Sequence, residues 1–312
     1  MRIFMTGASG YIGGVVAEKA IEQGHEVIGL ARSEVSRKKL KKQGVTPFPG
    51  DLESLDLLAR GAAEADAVLH LGFVHDFTRP YEELIGIDKS AVRAMAKGIA
   101  GTGKPLITTS GTGVTAPDPN GAETNEDSPL DADPVLSLRA GAEADALSLA
   151  ASGIRVNVIR LAPYVYGRGG SVFVPVLLKA AAAHGFAAYV DGGKNRTSSA
   201  NVDDVARLYL LAMEKAAQGT IFNGTTETDI PLRNLAEAIG AAVGVPAKSV
   251  SRSEADAICG PFVAKFLEMG NRASSAKATR ELGWQPQSTL GLLEDIVRGS
   301  YRAFAESLKQ EA

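Results

Sequence analysis

The sequence has few of the residues on which several protein classes depend. Cys259 is its only cysteine, which excludes an intramolecular disulfide and a cysteine-based zinc site and suits a reducing compartment. No run of about 18 apolar residues occurs, so no membrane span is predicted. The apolar stretch at Met1–Met5 is soon followed by glycine, which does not suit a signal peptide. We therefore expect a cytoplasmic protein with no membrane partner and no bound metal.

An excess of basic residues is also missing. The 33 lysines and arginines are set against 36 aspartates and glutamates, for a formal net charge of −3, whereas nucleic-acid-binding proteins usually carry a basic face. The one basic run, Arg37–Lys42, predicts a solvated helix face at Lys41 and Lys42. With 312 residues, 45% of them apolar, the chain is long enough for about two domains. These features favour a globular protein that acts on a small molecule and not on nucleic acid.

Short β-branched runs alternate with helical segments through the first half of the chain. We predict strands at Arg2–Thr6, Glu26–Ala31, Val45–Phe48, Ala67–Leu71, Pro105–Ser110 and Arg155–Leu161, and helices at Ile12–Gln23, Leu55–Gly61, Tyr81–Ala100 and Leu136–Ala151. Such alternation is typical of parallel β-α-β units with right-handed crossovers. The pattern therefore predicts an α/β fold with a doubly wound parallel sheet.

The pattern is less regular beyond Leu161. Helices are predicted at Val172–His184 and Leu232–Val243 without a strand between each repeat, while Val202–Ala217 and Thr220–Asn223 look like a helix and strand that return to the main sheet. We therefore predict a first domain of residues 1–162 plus about 200–225. A second, smaller domain would comprise about 163–199 and 226–312.

A glycine-rich segment, T-G-A-S-G-Y-I-G, joins the first strand to the first helix. Gly7 would permit a tight turn, Gly10 a close approach of a pyrophosphate, and Gly13 close packing of helix on sheet. The helix N-terminus would add free N–H groups and a partial positive charge. A plain strand–helix turn is the alternative. The segment predicts a dinucleotide site with contacts from Thr6, Gly7, Ser9, Gly10, Tyr11, Ile12 and Gly13.

The end of the second strand indicates which dinucleotide binds. An acidic residue there would accept hydrogen bonds from the 2′-hydroxyl of the adenosine ribose, but the sequence has Arg32 and Ser33, with Arg37 one turn on. Because arginine suits a phosphate, NADPH (NADP+) is favoured over NADH. After the third strand, Asp51 and Leu52 would lie beside the adenine, although Asp51 could equally cap the following helix.

These motifs, taken together, resemble those of the extended short-chain dehydrogenase/reductase (NAD-dependent epimerase/dehydratase-like) superfamily. The resemblance rests on Thr6–Gly13, Asp51-Leu52, H-L-G-F at His70–Phe73, T-T-S at Thr108–Ser110, N-V-D-D-V-A at Asn201–Ala206 and L-G-W-Q-P at Leu282–Pro286. It covers essentially the whole chain. It implies a Rossmann-type sheet with a smaller C-terminal α/β substrate domain, and cofactor contacts from Leu71, Gly72, Phe73 and Pro163.

The resemblance also implies a catalytic set of Ser or Thr, Tyr and Lys. Ser110 occupies the first position, but the Tyr position falls on Val135 and the Lys position on Arg139. The sequence thus resembles the atypical members of the superfamily, which keep the cofactor site and lose the tyrosine. Arg139 could still bind the nicotinamide ribose hydroxyls as cofactor ligand and catalytic residue. The alternative is a surface arginine paired with Glu143 at i,i+4.

The missing tyrosine leaves the proton donor open. Losing a general acid lowers a reaction rate roughly 10²–10⁴-fold. Positioning a hydride donor against its acceptor can lower the barrier by ~7–11 kcal/mol, so hydride transfer can still occur without the tyrosine. The candidate donors are Ser110, His75 and Tyr164. His75 could instead cap the next helix, and Tyr164 could be a packing residue under the second domain.

The missing acid leaves three functions to weigh. A protonated imine needs no acid, and Asp76 or Asp203 could favour such a cation. We therefore expect an NADPH-dependent oxidoreductase that reduces a C=N or C=O bond of a small, largely apolar substrate. The alternative is a non-catalytic NAD(P)-binding sensor or regulatory protein, as among NmrA-like relatives.

The second domain would enclose the substrate. Its candidate pocket aromatics, which could equally be core residues, are Phe173, Phe186, Tyr189, Phe262, Phe266 and Trp284. The polar candidates for orienting the substrate are Asn195, Arg196, Thr197 and Ser198, while Asp203 and Asp204 are predicted to cap a helix. The alanine-rich helices Tyr81–Ala100 and Leu136–Ala151 correspond to the superfamily's dimer interface, which implies a homodimer. Packing of these small residues within one chain is the alternative.

Overall fold

The computed structural model describes residues 1–76 and 78–311. Its strands are β1 (Arg2–Thr6), β2 (Glu26–Ala31), β3 (Thr46–Pro49), β4 (Ala67–His70), β5 (Pro105–Gly111), β6 (Arg155–Leu161), β7 (Tyr164–Tyr166), β8 (Ala187–Val190), β9 (Arg196–Asn201), β10 (Ile221–Gly224), β11 (Glu227–Pro231) and β12 (Ala247–Val250). Its helices are α1 (Tyr11–Glu22), α2 (Glu34–Lys42), α3 (Leu55–Ala63), α4 (Tyr81–Gly98), α5 (Pro134–Ser148), α6 (Phe173–His184), α7 (Val202–Lys215), α8 (Leu232–Val243), α9 (Arg252–Cys259), α10 (Pro261–Phe266), α11 (Ala276–Leu282), α12 (Leu292–Arg298) and α13 (Arg302–Glu311).

Seven strands form a wholly parallel sheet in the order β10-β6-β5-β4-β1-β2-β3. β1 lies between β2 and β4, so that Ile3 pairs with both Val27 and Ala67. The strand order reverses between β1 and β4, and ligands bind in the crevice that such a reversal opens at the carboxyl ends of the strands. The predicted doubly wound sheet is confirmed, and its topology locates the candidate site.

The sheet is buried on both faces by helices. Along β1, Ile3 and Met5 pack with α1 and α7 on one face, while Phe4 packs with α3 and α4 on the other. The alternation follows from the two-residue period of a strand. All three side chains are fully buried, which explains the continuous apolar runs of the sequence. A rigid sheet of this kind fixes the positions of the loops that follow each strand.

The remaining elements surround a second core. Two small sheets, β11-β9-β7 and β12-β8, pack with α6, α8 and the last helices around apolar residues such as Leu178, Ile239 and Ile296. The sequence predicted one strand between α6 and α8, at Thr220–Asn223, but missed three others, β8, β9 and β11. β9 escapes a hydrophobicity search because its buried residues include Thr197 and Ser198. No helix among the described residues is long and apolar enough to cross a membrane.

Helix caps account for two differences from the predicted elements. α5 begins before Leu136 because the Asp133 carboxylate accepts hydrogen bonds from the Val135 and Leu136 N–H groups, at 2.9 and 3.1 Å. α7 is capped by Asn201, whose side chain accepts from the Asp203 N–H at 2.9 Å. The prediction that Asp203 and the following aspartate cap α7 was therefore wrong.

Candidate functional site

A cleft of about 950 Å³ opens at the carboxyl ends of β1, β2 and β4. It brings together most of the predicted cofactor residues, namely Gly7, Ser9, Gly10, Tyr11, Ile12, Gly13, Arg32, Asp51, Leu52, Leu71, Gly72, Phe73 and Pro163. Thr6, Ser33, Arg37 and Arg139 were also predicted to contact the cofactor but are not part of the cleft wall. The topological switch point and the predicted dinucleotide site thus coincide.

The glycine-rich loop leaves no room for side chains where the strand meets the helix. Gly7 has φ of +74°, and a Cβ there would lie 2.7 Å from the Gly72 nitrogen. A Cβ on Gly13 would lie 2.1 Å from the Gly7 carbonyl oxygen. Gly10 is the N-cap of α1, and no side chain of a described residue caps the helix there. The first N–H groups of α1 therefore lack intrahelical partners, and the residues that carry them line the cleft. This arrangement can hold a pyrophosphate.

Basic side chains follow β2, and one of them reaches the cleft. Arg32 lines it and makes no ion pair or hydrogen bond with any described residue. Ser33 instead caps α2, with its hydroxyl accepting from the Ser36 N–H at 3.1 Å, and Arg37 pairs with Glu34 at 2.6 Å. Arg32 is therefore the guanidinium that remains available for a ribose phosphate.

Lys39 is a residue that the sequence did not single out. Its Nζ donates to the Ser9 carbonyl oxygen at 2.7 Å, which brings a positive charge to the glycine-rich loop. The only signal in the sequence was its place in the basic run that begins at Arg37. Lys39 can reach the loop because α2 packs beside it, a contact between residues 30 positions apart.

Asp51 has a local structural role at the edge of the cleft. Its carboxylate accepts from the Ser54 hydroxyl at 2.7 Å and from the Glu53 N–H at 3.0 Å. These bonds hold the pKa of Asp51 below its ordinary value, with the Ser54 bond as the main cause. Asp51 thus orders the turn before α3. Because it also lines the cleft, it could still contact an adenine bound there.

A buried chain of polar side chains runs beneath the cleft. Thr6 Oγ1 lies 2.7 Å from His70 Nδ1, and His70 Nε2 lies 3.1 Å from Asp88 Oδ1. Arg139 Nη1 donates to Asp88 Oδ2 at 2.9 Å. The pairing of Arg139 with Glu143, the alternative from the sequence, does not occur. His70 and Asp88 are functional candidates that sequence reasoning missed, because their contacts lie far apart in the chain.

Phe73 separates Arg139 from the cleft. The Arg139 guanidinium lies 4.7 Å from the centre of the Phe73 ring, in the geometry of a cation–π contact. Burial alone would lower the pKa of Arg139, but the Asp88 carboxylate and the Tyr81 hydroxyl raise it. The position expected to hold the superfamily's lysine therefore carries a fixed positive charge beside the cleft.

The three candidate proton donors occupy different environments. His75 lines the cleft, next to Phe73, and α4 begins only at Tyr81, so His75 is not its cap. Loss of solvent around the imidazole, and then the charges of Arg139 and Arg32, lower the pKa of His75. Among the described residues of this candidate set, His75 alone is part of the cleft wall.

The other two candidate donors are buried outside the cleft. The Ser110 hydroxyl is buried and has no hydrogen-bond partner among the described residues. It lines a separate cavity of about 10 Å³ with Asp88 and Arg139. Tyr164 is fully buried and its hydroxyl donates to the Phe266 carbonyl at 3.2 Å. Tyr164 thus packs in the second core, as the alternative from the sequence had it.

Apolar side chains also line the cleft. Phe173 lines it together with Val172, Pro163 and Val165, and the Phe173 ring contacts Phe262 and Phe266, the other two rings of an aromatic cluster. The other five candidate aromatics are not part of the wall, namely Phe186, Tyr189, Phe262, Phe266 and Trp284. Trp284 belongs to the core of the large sheet and donates to the Asp204 carbonyl at 2.9 Å.

The polar candidates for orienting a substrate lie elsewhere. Asn195 donates to the Glu268 carbonyl at 2.5 Å, and Arg196 pairs with Asp229 at 2.6 Å. Asp203, which was considered as a partner for a cationic substrate, instead binds Arg168 and Lys19 at 2.6 and 3.0 Å. Thr197 and Ser198 are buried in β9 and are also outside the cleft wall.

The chain is similar to known proteins along its whole length. Residues 3–223 match the NAD dependent epimerase/dehydratase family. An uncharacterized protein of Schizosaccharomyces pombe is 39% identical over 96% of this chain and 100% of its own length. A 2-alkyl-3-oxoalkanoate reductase of Stenotrophomonas maltophilia is 28% identical over 93% of this chain and 96% of its own. The solved structure of a dTDP-glucose 4,6-dehydratase from Streptomyces venezuelae with NAD bound shares the fold, with a TM-score of 0.78 at 20% identity over 99% of this chain and 100% of that one.

Proposed function

The chain belongs to the NAD dependent epimerase/dehydratase family, and we propose that it is an NADPH-dependent reductase of a carbonyl group in a small, largely apolar substrate. The observation that carries the proposal is the cleft of about 950 Å³, which combines a glycine-lined phosphate cradle with apolar and aromatic lining residues. The Stenotrophomonas relative, a 2-alkyl-3-oxoalkanoate reductase, supports oxidoreductase chemistry.

The glycine-lined part of the cleft fits NADPH. The close approach of Gly7 to Gly72 and of Gly13 to Gly7 makes a cradle that one added methyl group would fill. Arg32, unpaired within the described part of the chain, and Lys39 supply positive charge where a 2′-phosphate would lie, and guanidinium binds phosphate through two parallel hydrogen bonds. When bound, the reduced nicotinamide would supply the hydride.

The apolar lining of the cleft favours a small apolar substrate. The apolar residues of the cleft lining include Phe173, Val172 and Phe73. Drug-sized ligands occupy pockets of roughly 300–1,000 Å³, so a cleft of about 950 Å³ that also takes a dinucleotide leaves space for a modest second ligand. We propose that residues 1–162 and about 200–225 bind the cofactor, and that the remainder supplies the substrate wall.

The charges around the cleft favour a carbonyl over a protonated imine. Arg139 carries a positive charge behind Phe73, and a cationic substrate nearby would be repelled. Of the two carboxylates that the sequence suggested as partners for such a cation, Asp203 is bound to Arg168 and Lys19. Asp76 lies on the cleft wall and keeps its charge, but it interacts with the charge of Arg79 on the same wall, and its carboxylate accepts from the Thr78 hydroxyl at 2.6 Å. A developing alkoxide, in contrast, is stabilised by this positive field.

His75 is the proposed proton donor. Its imidazole reaches the cleft from the segment that follows β4, whereas the Val135 side chain at the position of the superfamily's tyrosine carries no proton to give. Because its pKa is lowered, His75 is mostly neutral at pH 7, and reduction should accelerate as the pH falls. Proton transfer from a positioned side chain contributes roughly 10²–10⁴-fold.

The test is NADPH consumption by the purified protein on matched panels of apolar ketones and cyclic imines, with NADPH binding measured separately by fluorescence. We expect binding and turnover of ketones. Turnover confined to imines would contradict the carbonyl assignment. Binding without turnover on either panel would favour the alternative of a non-catalytic sensor, and absence of binding would overturn the proposal as a whole.

A further inference from the structure

The hydrogen bonds beneath the cleft fix the direction in which each group donates. Gly72 N–H donates to Thr6 Oγ1 at 3.0 Å, so the Thr6 hydroxyl hydrogen is free to point at His70 Nδ1. The Asp88 carboxylate can only accept, so Nε2 of the neutral ring carries the proton and donates it to Asp88, which leaves Nδ1 to accept from Thr6. Asp88 accepts on both oxygens, from His70 and from Arg139. The chain is therefore consistent with one ionised carboxylate and one neutral imidazole.

Burial makes this arrangement stiff. Thr6, His70 and Asp88 are all at least nine-tenths buried, and removing one member of a buried ion pair leaves its partner charged and unsolvated. Arg139 is held from two sides, by the Asp88 carboxylate and by the face of Phe73. Two contacts of different direction fix both the position and the plane of the guanidinium.

Both ends of this hydrogen-bonded series of side chains contact residues of the cleft wall. Gly72, the first donor, and Phe73, which covers Arg139, are neighbours in the cleft wall. Helix packing does not by itself require Asp88, because α4 and α5 are also joined by Arg93 and Asp145 at 2.5 Å. A buried ion pair adds little net stability compared with apolar residues of similar volume, which points to a role in geometry.

We propose that Asp88 is a positioning residue that holds the Arg139 guanidinium against the Phe73 ring, and so fixes the part of the cleft wall that Phe73 presents to the cofactor. This inference rests on the proposed function, since it requires that NADPH occupies the cleft. His70 and Thr6 hold Asp88 in turn, and through Gly72 they link the guanidinium to the glycine-rich loop. Asp88 acts through Arg139 and does not touch the reacting atoms.

The test compares Asp88→Asn with Asp145→Asn, a matched change in an ion pair between the same two helices. The asparagine keeps an oxygen for His70 but turns an N–H group toward Arg139. We expect Asp88→Asn to raise the dissociation constant and KM for NADPH about 10-fold or more, with a smaller change in kcat. Asp145→Asn should change these values less than about 2-fold. Thermal unfolding of each variant establishes that it is folded.

A double substitution separates positioning from general structural damage. If Asp88 acts only through Arg139, adding Asp88→Asn to Arg139→Met should weaken NADPH binding no further than Arg139→Met alone. Additive losses would overturn the proposal, as would equal NADPH affinity in Asp88→Asn and Asp145→Asn. If the unsubstituted protein fails to bind NADPH, the proposed function fails instead.

The His70 ring gives a readout that needs no bound cofactor and no variant. Nitrogen NMR of the unsubstituted protein should show the neutral tautomer with its proton on Nε2. A proton on Nδ1 would contradict the direction of the hydrogen bonds from Thr6 to Asp88 and would overturn the chain on which the positioning of Arg139 depends.

Discussion

Glu143 and Arg160 form a bidentate ion pair beneath α5, with Arg160 Nε 2.9 Å from Oε2 and Nη2 2.6 Å from Oε1. Both side chains are buried. Arg160 Nη1 also donates to the Thr115 hydroxyl and to the Glu126 carbonyl, each at 3.2 Å. One arginine of β6 thereby fastens α5 and the segment that precedes it to the sheet. Glu143 is committed to this contact and leaves Arg139, one helical turn away, to Asp88.

We expect Glu143→Gln to destabilise the protein strongly. The substitution leaves the Arg160 guanidinium buried without its counter-charge, and breaking a buried pair costs about 3–5 kcal/mol. The control is Glu237→Gln, which removes an exposed i,i+4 partner of Arg233 at 2.9 Å and should cost about 0.5 kcal/mol or less. Urea unfolding of both variants measures the difference. Equal midpoints would show that the buried pair does not stabilise the fold.

Two adjacent glycines in α1 provide a matched test of the loop geometry. A Cβ at position 13 would lie 2.1 Å from the Gly7 carbonyl oxygen, whereas at position 14 it would meet the flexible end of Gln43 at 3.1 Å. Gly13→Ala should cost about 1–3 kcal/mol or more by overpacking and weaken NADPH binding. Gly14→Ala should be nearly neutral, since alanine also favours the helix. Thermal unfolding and fluorescence titration report the two effects, and similar losses in both variants would contradict this account.

The sequence predicted best what short stretches determine. Gly7, Gly10 and Gly13 are close in the chain, and the turn from β1 to α1 requires them. Their spacing therefore predicted both this turn and the cleft beside it. The bounds of α8 were also predicted correctly, because its apolar residues repeat at helical spacing over Leu232–Val243. Local patterns thus gave the sheet, most of its helices and the phosphate cradle.

Contacts between distant residues could not be predicted in the same way. Asp88 and Arg139 are 51 positions apart, and Thr6 and His70 are 64 apart, so only the fold brings them together. From the sequence alone, Glu143 was a candidate partner for Arg139 because it is the carboxylate one helical turn away on the same helix. Long-range pairing is decided by how α4 and α5 pack on the sheet, which no local pattern encodes.

Substitution of Arg32 should change the preference between NADPH and NADH. Arg32 is the basic side chain after β2 that lies on the cleft wall and lacks a partner within residues 1–76 and 78–311, while Arg37 is paired with Glu34. We expect Arg32→Gln to raise KM for NADPH about 10-fold or more, because a charge-assisted hydrogen bond is lost, and to leave KM for NADH nearly unchanged. Arg37→Gln, the control, should change neither value by more than about 2-fold. An equal effect of Arg32→Gln on both cofactors would contradict a 2′-phosphate contact.

The pH dependence of the reaction should report on His75. Its pKa is lowered from the ordinary value of 6.5 by loss of solvent and by the charges of Arg139 and Arg32, so the folded protein takes up this proton less readily than the unfolded chain. As the pH falls below 6.5, kcat for ketone reduction should rise with the imidazolium fraction and level off below the lowered pKa. Over the same range the free energy of unfolding should fall, because the unfolded state then binds more protons.

His75→Gln should remove both trends, giving a lower kcat that does not rise toward acid pH and a stability that declines less between pH 7 and 5. The control is His184→Gln, at a histidine near the end of α6 whose ring contacts the Ala180 carbonyl of its own helix, outside the cleft wall. This variant should keep the acid rise in kcat, because its imidazole takes no part in the reaction. If kcat of His75→Gln still rises toward acid pH as in the unsubstituted protein, the proton comes from another group, and the buried Ser110 hydroxyl, which has no partner among the described residues, becomes the donor to test by Ser110→Ala.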